Sequence, residues 1–180
     1  LDRDGVINEE SSAYVKSPDE LHFIPGSIEA IAKLNSLGFK VAIATNQAGI
    51  GRGIFKDSDL QAIHEKLLNT LTAAGAHIDH IAYCPHHPND LCDCRKPKPG
   101  MLQQIAKHYH TDLHDVFFVG DSLTDLQAAI NAGAKPALVK TGYGEKTQTE
   151  LNQLNCTAPI YDNLADFATQ LASASVAILP

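Results

Sequence analysis

The sequence predicts an α/β fold, a single doubly wound parallel sheet with helices on both faces. Three observations carry that expectation. Short apolar runs of strand length alternate with longer stretches whose apolar residues recur at helical spacing. The strongest run, FKVAIAT at residues 39–45, is apolar nearly throughout rather than alternating, as a strand covered on both faces should be. Stretches rich in reactive side chains stand directly after strand ends, where open parallel sheets bind their ligands. The 180 residues suit one domain, residues 1–180, with a sizeable core. No repeat, low-complexity segment or linker divides them.

The elements follow in order. Residues 1–8 (LDRDGVIN) read as an extended segment entering a glycine turn. A strand takes about five residues, and a candidate nucleophile already stands at position 2, so several apolar residues are expected upstream of Leu1. Residues 9–23 show no period and read as a loop or flap, with Ser17-Pro18-Asp19 as a turn. A helix spans residues 25–37 on the stripe Ile28, Ile31, Ala32 and Leu34, closed by Gly38. Strand 39–45 leads into the glycine-rich loop NQAGIGRG at 46–53. Asp57 or Ser58 caps the next helix, which carries Leu60, Ile63, Leu67, Leu68 and Leu71 to near Gly75. Strand 78–84, helix 99–109, strand 115–120, helix 122–132 stopped at Gly133, and a short strand 135–140 come next. Residues 143–155 are ambiguous; 159–161 read as an edge strand, 164–171 as a last helix, and 172–180 as a short apolar tail, packed or frayed.

Composition narrows the function. The chain is 44% hydrophobic and 19% charged, with a net charge of -7, which argues against a nucleic-acid binder. It leaves an anionic substrate open, because a metal and a few cations can reverse the field in one cleft. There is no signal peptide and no apolar run long enough to span a bilayer, so a cytoplasmic protein without membrane contact is expected. The four cysteines then point to metal rather than disulfides.

Four stretches converge on one edge of such a sheet. In an extended segment Asp2 and Asp4 would lie on one side. Like charges that close require a cation or a shared proton. Such a pair can bind Mg²⁺, or split labour between attack and proton transfer. Thr45 puts a hydroxyl at a strand tip, where it could hold a phosphate oxygen beside the amides of the following loop. Gly120-Asp121 ends the fourth strand with a third acid, and Asp2, a backbone carbonyl near Asp4, and Asp121 would suit a hard cation. Asp125 fits a helix cap as well as a supporting role. Arg95 and Lys96 could neutralise a phosphate and the charge that builds during its transfer. Cys84, His86, Cys92 and Cys94, within eleven residues, match a closed tetrahedral Zn²⁺ site, with His87 as an alternative to His86. This zinc loop, 84–94, would pin Arg95 and Lys96. Cys156 reads as a packed thiol. His22, His64, His77, His80, His108, His110 and His114 read as surface or capping residues.

The stretches DRDG (2–5), TNQAGIGRG (45–53), CPHH…CDCRKP (84–97) and GDSLTD (120–125) resemble the haloacid dehalogenase superfamily of phosphatases. Within it they are similar to the D-glycero-D-manno-heptose 1,7-bisphosphate phosphatases, with histidinol-phosphate phosphatases as close relatives. The resemblance covers residues 1–144. It implies a Rossmann-like haloacid dehalogenase fold, capless because the intervals between motifs leave no room for a cap domain. It implies that Asp2 is the nucleophile and forms an aspartyl-phosphate. Asp4 then protonates the leaving hydroxyl and later activates water. Thr45 and Lys96 hold the transferring phosphoryl group; Arg95 recognises substrate, with Asn46 and Gln47 nearby. Asp2, the carbonyl of Asp4, and Asp121 bind Mg²⁺; Cys84, His86, Cys92 and Cys94 bind structural Zn²⁺.

Two departures bear on the substrate. Ser122 stands at a substrate-facing position where relatives often carry a basic residue. The five residues between His86 and Cys92 make a short zinc loop, a form also seen in the histidinol-phosphate group. The expectation is therefore a monomeric, Mg²⁺-dependent phosphatase that acts on a small sugar phosphate and removes the 7-phosphate of the heptose bisphosphate, on the route to lipopolysaccharide-core heptose. Alternatives are a histidinol-phosphate phosphatase, a phospho-accepting signalling module, and a nucleic-acid 3′-phosphatase. The acidic balance and lack of a basic aromatic groove speak against the last.

Overall fold

The computed structural model describes residues 1–154 and 157–176. Strand β1 (Ala42–Asn46) pairs in parallel with β2 (His80–Cys84). A second parallel set runs β3 (Phe117–Gly120), β4 (Lys135–Val139) and β5 (Ile160–Tyr161). The first two residues of the chain join the sets. The Leu1 amine donates to Ala42 O at 2.8 Å, and Leu1 O accepts from Ala44 N at 2.9 Å. On the other side Asp2 N donates to Val119 O at 2.8 Å. The order is therefore β2-β1-(1–2)-β3-β4-β5, parallel throughout, with Asp2 at its centre.

Seven helices are described, α1 (Ser27–Ser36), α2 (Ala48–Gly51), α3 (Asp57–Ala73), α4 (Gly100–Tyr109), α5 (Leu123–Ala132), α6 (Gly144–Leu154) and α7 (Leu164–Val176), with a 3₁₀ turn at Pro18–Glu20. They cover both faces. Ile31 and Leu34 of α1, Ile63, Leu67 and Leu71 of α3, and Phe167 of α7 pack with Val41, Ile43, Val119 and Val139. Met101 and Leu102 of α4 and Ala128 and Ala129 of α5 pack with Ala44, Ala82 and Phe118. Leu151 of α6 joins Leu126 and Leu138. Neighbours along one strand, Ile43 and Ala44 or Phe118 and Val119, thus enter opposite layers, which is why these strands read as continuously apolar. At the amino-terminal ends of the strands lies an apolar groove of about 450 Å³, lined by Leu1, Phe39, Val41 and Phe117 among others. The reactive side chains lie at the carboxyl ends instead.

Three local expectations are corrected. Residues 1–8 do not continue as an extended segment. Ile7 N and Asn8 N both donate to Arg3 O, at 2.8 and 3.2 Å, so the chain turns at Arg3. The loop at 46–53 contains the helical turn α2. Helix α3 is capped through Asp59, whose carboxylate accepts from Lys56 N at 2.7 Å, and not by Asp57 or Ser58. Asp57 is engaged by the Tyr83 hydroxyl and by Gln61, both at 2.7 Å. The ambiguous stretch 143–155 forms α6 up to Leu154. Cys156 and residues 177–180 lie outside the described residues.

Candidate active site

Strand ends bring the predicted side chains together. Asp2 leaves the central position of the sheet, Thr45 the end of β1, and Asp121 follows β3. Lys96 reaches between them from the loop after β2. Its ammonium is buried, 2.8 Å from Asp2 Oδ2 and 2.6 Å from Asp125 Oδ1, and lies 5.3 Å from the Phe118 ring centroid. Burial alone would push the lysine down, but the two carboxylates win and raise it. Asp125 has both roles foreseen for it. Oδ1 takes Lys96, while Oδ2 accepts from Ser122 N at 3.0 Å and from the Ser122 hydroxyl, closing a capping box at the start of α5.

The other predicted residues are tied into the same frame. Asn46 clamps the backbone of Lys96, accepting from Lys96 N at 3.1 Å and donating to Lys96 O at 3.2 Å. Gln47 Nε2 donates to Thr45 Oγ1 and to Asp4 Oδ2, each at 2.9 Å. The side chain of Ser122 is spent on the α5 cap and on Thr124. Arg95 is half-buried, and its Nη1 is sealed from solvent with no hydrogen-bond partner.

Carboxylates of Asp2, Asp121 and Asp125 come within 4.8 Å of one another. Asp125 is saturated by Lys96 and Ser122, so Asp2 and Asp121 keep lone pairs for a cation. Burial and the mutual repulsion drive Asp2 up to about 7 and Asp121 up to about 8. Glycines preserve the space. A Cβ on Gly5 (φ +76°) would fall 2.0 Å from Asp121 Oδ2, and one on Gly142 (φ +58°) 2.1 Å from it. A buried acid pair with crowded, raised carboxyls beside a glycine cradle fits Mg²⁺, which takes one or two carboxylates and keeps the rest of its shell for water and phosphate.

A second cluster fits Zn²⁺. Cys84 Sγ lies 3.7 Å from Cys92 Sγ, 3.1 Å from Cys94 Sγ and 3.5 Å from His86 Nδ1. These are not disulfide distances. A tetrahedron with Zn–S bonds of about 2.3 Å has edges of about 3.8 Å, close to the larger of them. His87 faces away, its Nδ1 accepting from Asn89 N at 3.1 Å, so His86 is the imidazole of the set. Burial and the adjacent thiols push Cys94 up to about 12, a strain that a dication would relieve. The loop is braced from both sides: Gly51 N donates to Pro85 O at 2.8 Å and Gly100 N to Asp93 O at 3.2 Å.

The structure adds residues that the sequence did not single out. Arg3 is wholly buried and ion-paired to Asp4 at 2.8 Å. Asn8, also wholly buried, donates to Asp4 Oδ1 at 2.8 Å. Burial works to raise Asp4, but the Arg3 charge and the donors from Asn8, Arg3 and Gln47 outweigh it and hold Asp4 below the usual carboxylate range. Glu10, partly buried near Asp4 and Asp2, is pushed up to about 7.

Two of the histidines set aside as surface or capping residues are corrected. His80 is half-buried on β2 and stacks on His108, with ring centroids 4.5 Å apart. His64 is buried on α3 behind Arg3, its Nε2 3.5 Å from Arg3 Nη1. A guanidinium only donates, so Nε2 accepts and the ring is neutral. Burial, then the Arg3 charge, lowers its pKa from the ordinary 6.5 to about 4. The unfolded state thus binds the proton first. Stability owed to neutral His64 is full above pH 6.5 and is lost as pH falls toward 4, by about 3 kcal/mol at most. The stability difference between the parent and His64→Gln should therefore rise across this window and level off above it. Urea denaturation of both proteins at several pH values checks this; a difference independent of pH would refute it.

Comparison with known proteins agrees with this geometry. A family model described as HAD-hyrolase-like matches residues 93–167. A D-glycero-β-D-manno-heptose-1,7-bisphosphate 7-phosphatase of Pseudomonas putida is 52% identical over 171 residues, covering 95% of this chain and 97% of its own. The enzyme of the same name from Escherichia coli K12 is 39% identical over 92% of this chain and 88% of its own. The crystal structure of D,D-heptose 1,7-bisphosphate phosphatase from B. bronchiseptica, complexed with magnesium and phosphate, superposes with a TM-score of 0.92 at 48% identity, covering 96% of each chain.

Proposed function

The chain belongs to the D-glycero-β-D-manno-heptose-1,7-bisphosphate 7-phosphatase family of the haloacid dehalogenase superfamily, and from that premise we propose that it hydrolyses the 7-phosphate of that sugar bisphosphate. The product is heptose 1-phosphate, on the route to lipopolysaccharide-core heptose. The observation that carries the chemistry is the buried chain Asp2–Lys96–Asp125 at the strand ends.

Two in-line transfers follow from the side chains. An Asp2 carboxylate oxygen forms a bond to phosphorus as the P–O bond to the sugar breaks, and Asp4 gives its proton to the departing alkoxide. In the second step Asp4, now a carboxylate, takes a proton from water as that water attacks phosphorus, and the bond to Asp2 breaks. Arg3 favours the ionised form that this second step needs. A bound phosphoryl dianion adds like charge beside Asp4 and favours the protonated form that the first step needs. Thr45 and Lys96 hold phosphoryl oxygens, and Arg95, half-buried beside Lys96 in the same loop, recognises anionic substrate. Asp2, Asp121 and the Asp4 carbonyl are the proposed Mg²⁺ ligands; the ion supplies charge neutralisation at the phosphoryl group.

Phosphate release from heptose 1,7-bisphosphate and from histidinol phosphate tests the substrate. A kcat/KM at least about 100-fold higher for the bisphosphate, with the remaining phosphate on C1, is expected. A preference for histidinol phosphate would overturn the proposal.

We assign Zn²⁺ to the Cys84–His86–Cys92–Cys94 set as a structural ion. It fixes the loop that ends in Lys96, so its removal reaches the chemistry indirectly. A chelator that strips zinc should lower the melting temperature by more than about 5 °C and kcat by about tenfold. Added Zn²⁺ should restore both, and Mg²⁺ should restore neither. An unchanged melting curve after verified zinc loss would defeat the assignment.

A further inference from the structure

The carboxylate of Asp4 is held by more donors than a turn requires. Oδ1 accepts from Arg3 Nη2 at 2.8 Å, Arg3 Nε at 3.2 Å and Asn8 Nδ2 at 2.8 Å. Oδ2 accepts from Arg3 Nη2 and Gln47 Nε2, both at 2.9 Å. Gln47 ties the Oδ2 edge to Thr45, so this edge lies on the phosphoryl side. Arg3 has no solvent exposure, and its far side rests on neutral His64. A buried ion pair contributes little net stability compared with apolar residues of the same volume, because both charges are desolvated. The turn itself is closed by its backbone, with Ile7 N donating to Arg3 O at 2.8 Å and Gly5 N to Asn8 O at 2.7 Å. What the guanidinium supplies, and a shorter donor or an ammonium does not, is a planar fork that fixes the rotation of the carboxylate.

We propose that Arg3 is a positioning residue for proton transfer by Asp4, setting the carboxylate plane so that its Oδ2 edge faces the leaving oxygen. The proposal rests on Asp4 being the group that moves the proton. It places no contact between Arg3 and substrate. Arg3 acts only through Asp4, so its loss should matter only where Asp4 is needed. A sugar alkoxide needs a proton to leave, whereas a nitrophenolate leaves without one.

The test compares kcat/KM on the sugar bisphosphate and on p-nitrophenyl phosphate, because kcat/KM covers the steps up to the first release. Arg3→Lys should lower it about 100-fold on the sugar phosphate and less than about threefold on the aryl phosphate. Equal losses on both substrates would mean a merely structural residue and would overturn the proposal. Asp4→Asn is the reference. If it shows no difference between the substrates, the role of Asp4 falls, and this is distinct from a failure of Arg3 alone. Should Arg3→Lys not fold, Arg3→Met combined with Asp4→Asn removes both charges and leaves neither stranded. On that background the loss of Arg3 should change kcat/KM by less than about threefold relative to Asp4→Asn alone. A larger further loss would show that Arg3 acts independently of Asp4.

Discussion

Asp2→Asn protein is expected to fold normally and to turn over at least about 10⁴-fold more slowly than the parent. A carboxamide oxygen is a far poorer nucleophile toward phosphorus than a carboxylate, and no other described carboxylate can take its place. Asp125 is held by Lys96 and the α5 cap, and Asp121 accepts from Tyr143 N at 2.8 Å. The fold should not suffer. The asparagine carbonyl can accept from Lys96 Nζ, as Asp2 Oδ2 does at 2.8 Å, at the cost of the single bond that Oδ1 accepts from Arg3 N at 2.8 Å. Lys96 keeps Asp125, and of the two largest causes that push Asp121 up to about 8, burial and then the Asp2 charge, the second is removed. Steady-state phosphate release, a melting curve, and mass analysis of acid-quenched enzyme for a phosphoprotein adduct together check this. Turnover within 100-fold of the parent, or an adduct formed by the variant, would remove Asp2 from the nucleophile's place.

Much of this site was legible because its information is local or lies at strand ends. Cys84, His86, Cys92 and Cys94 sit within one short loop, so residue type and spacing pointed to a cluster that the fold does bring together. Asp2, Thr45 and Asp121 each follow an apolar strand, and a parallel sheet brings such ends together whatever their separation in sequence. Arg3 was missed for the opposite reason. Strand alternation places residue 3 on the face away from Asp2 and Asp4, and that holds only while the chain stays extended. The turn at Arg3, with Gly5 at φ +76°, ends the alternation and folds the guanidinium back onto Asp4. The buried position of His64 depends on that turn, so the period of α3 alone could not reveal it. Asn46 and Gln47 were expected near the substrate, but which partner each amide chooses is a tertiary fact: Lys96 backbone for one, Asp4 and Thr45 for the other.

The second large effect is expected from Lys96→Met, which keeps the length of the stem and removes the charge. Turnover should fall about 10³-fold, because the fixed cation beside the phosphoryl group and the nucleophile is lost. Stability should fall as well. Asp2 and Asp125 then share a buried space with no counter-ion, a situation that costs about 3 kcal/mol or more. The sign of the pH dependence is determined by the carboxyls. Burial already raises Asp2 to about 7 against the pull of Lys96, so without Lys96 its folded pKa lies further above the unfolded one and the folded state binds a proton that the unfolded state releases. The deficit relative to the parent should be small near pH 4 and grow as pH rises through neutrality. Asp125→Asn added to Lys96→Met should recover most of the stability, since the amide oxygen can still cap α5, yet recover none of the turnover. Denaturant unfolding at acidic and neutral pH, with kcat for the single and double variants, separates the two consequences. A deficit independent of pH would mean that lost packing against Phe118, 5.3 Å from the ammonium, outweighs the stranded charge. Turnover near the parental value would mean that Lys96 orders the fold without touching the chemistry.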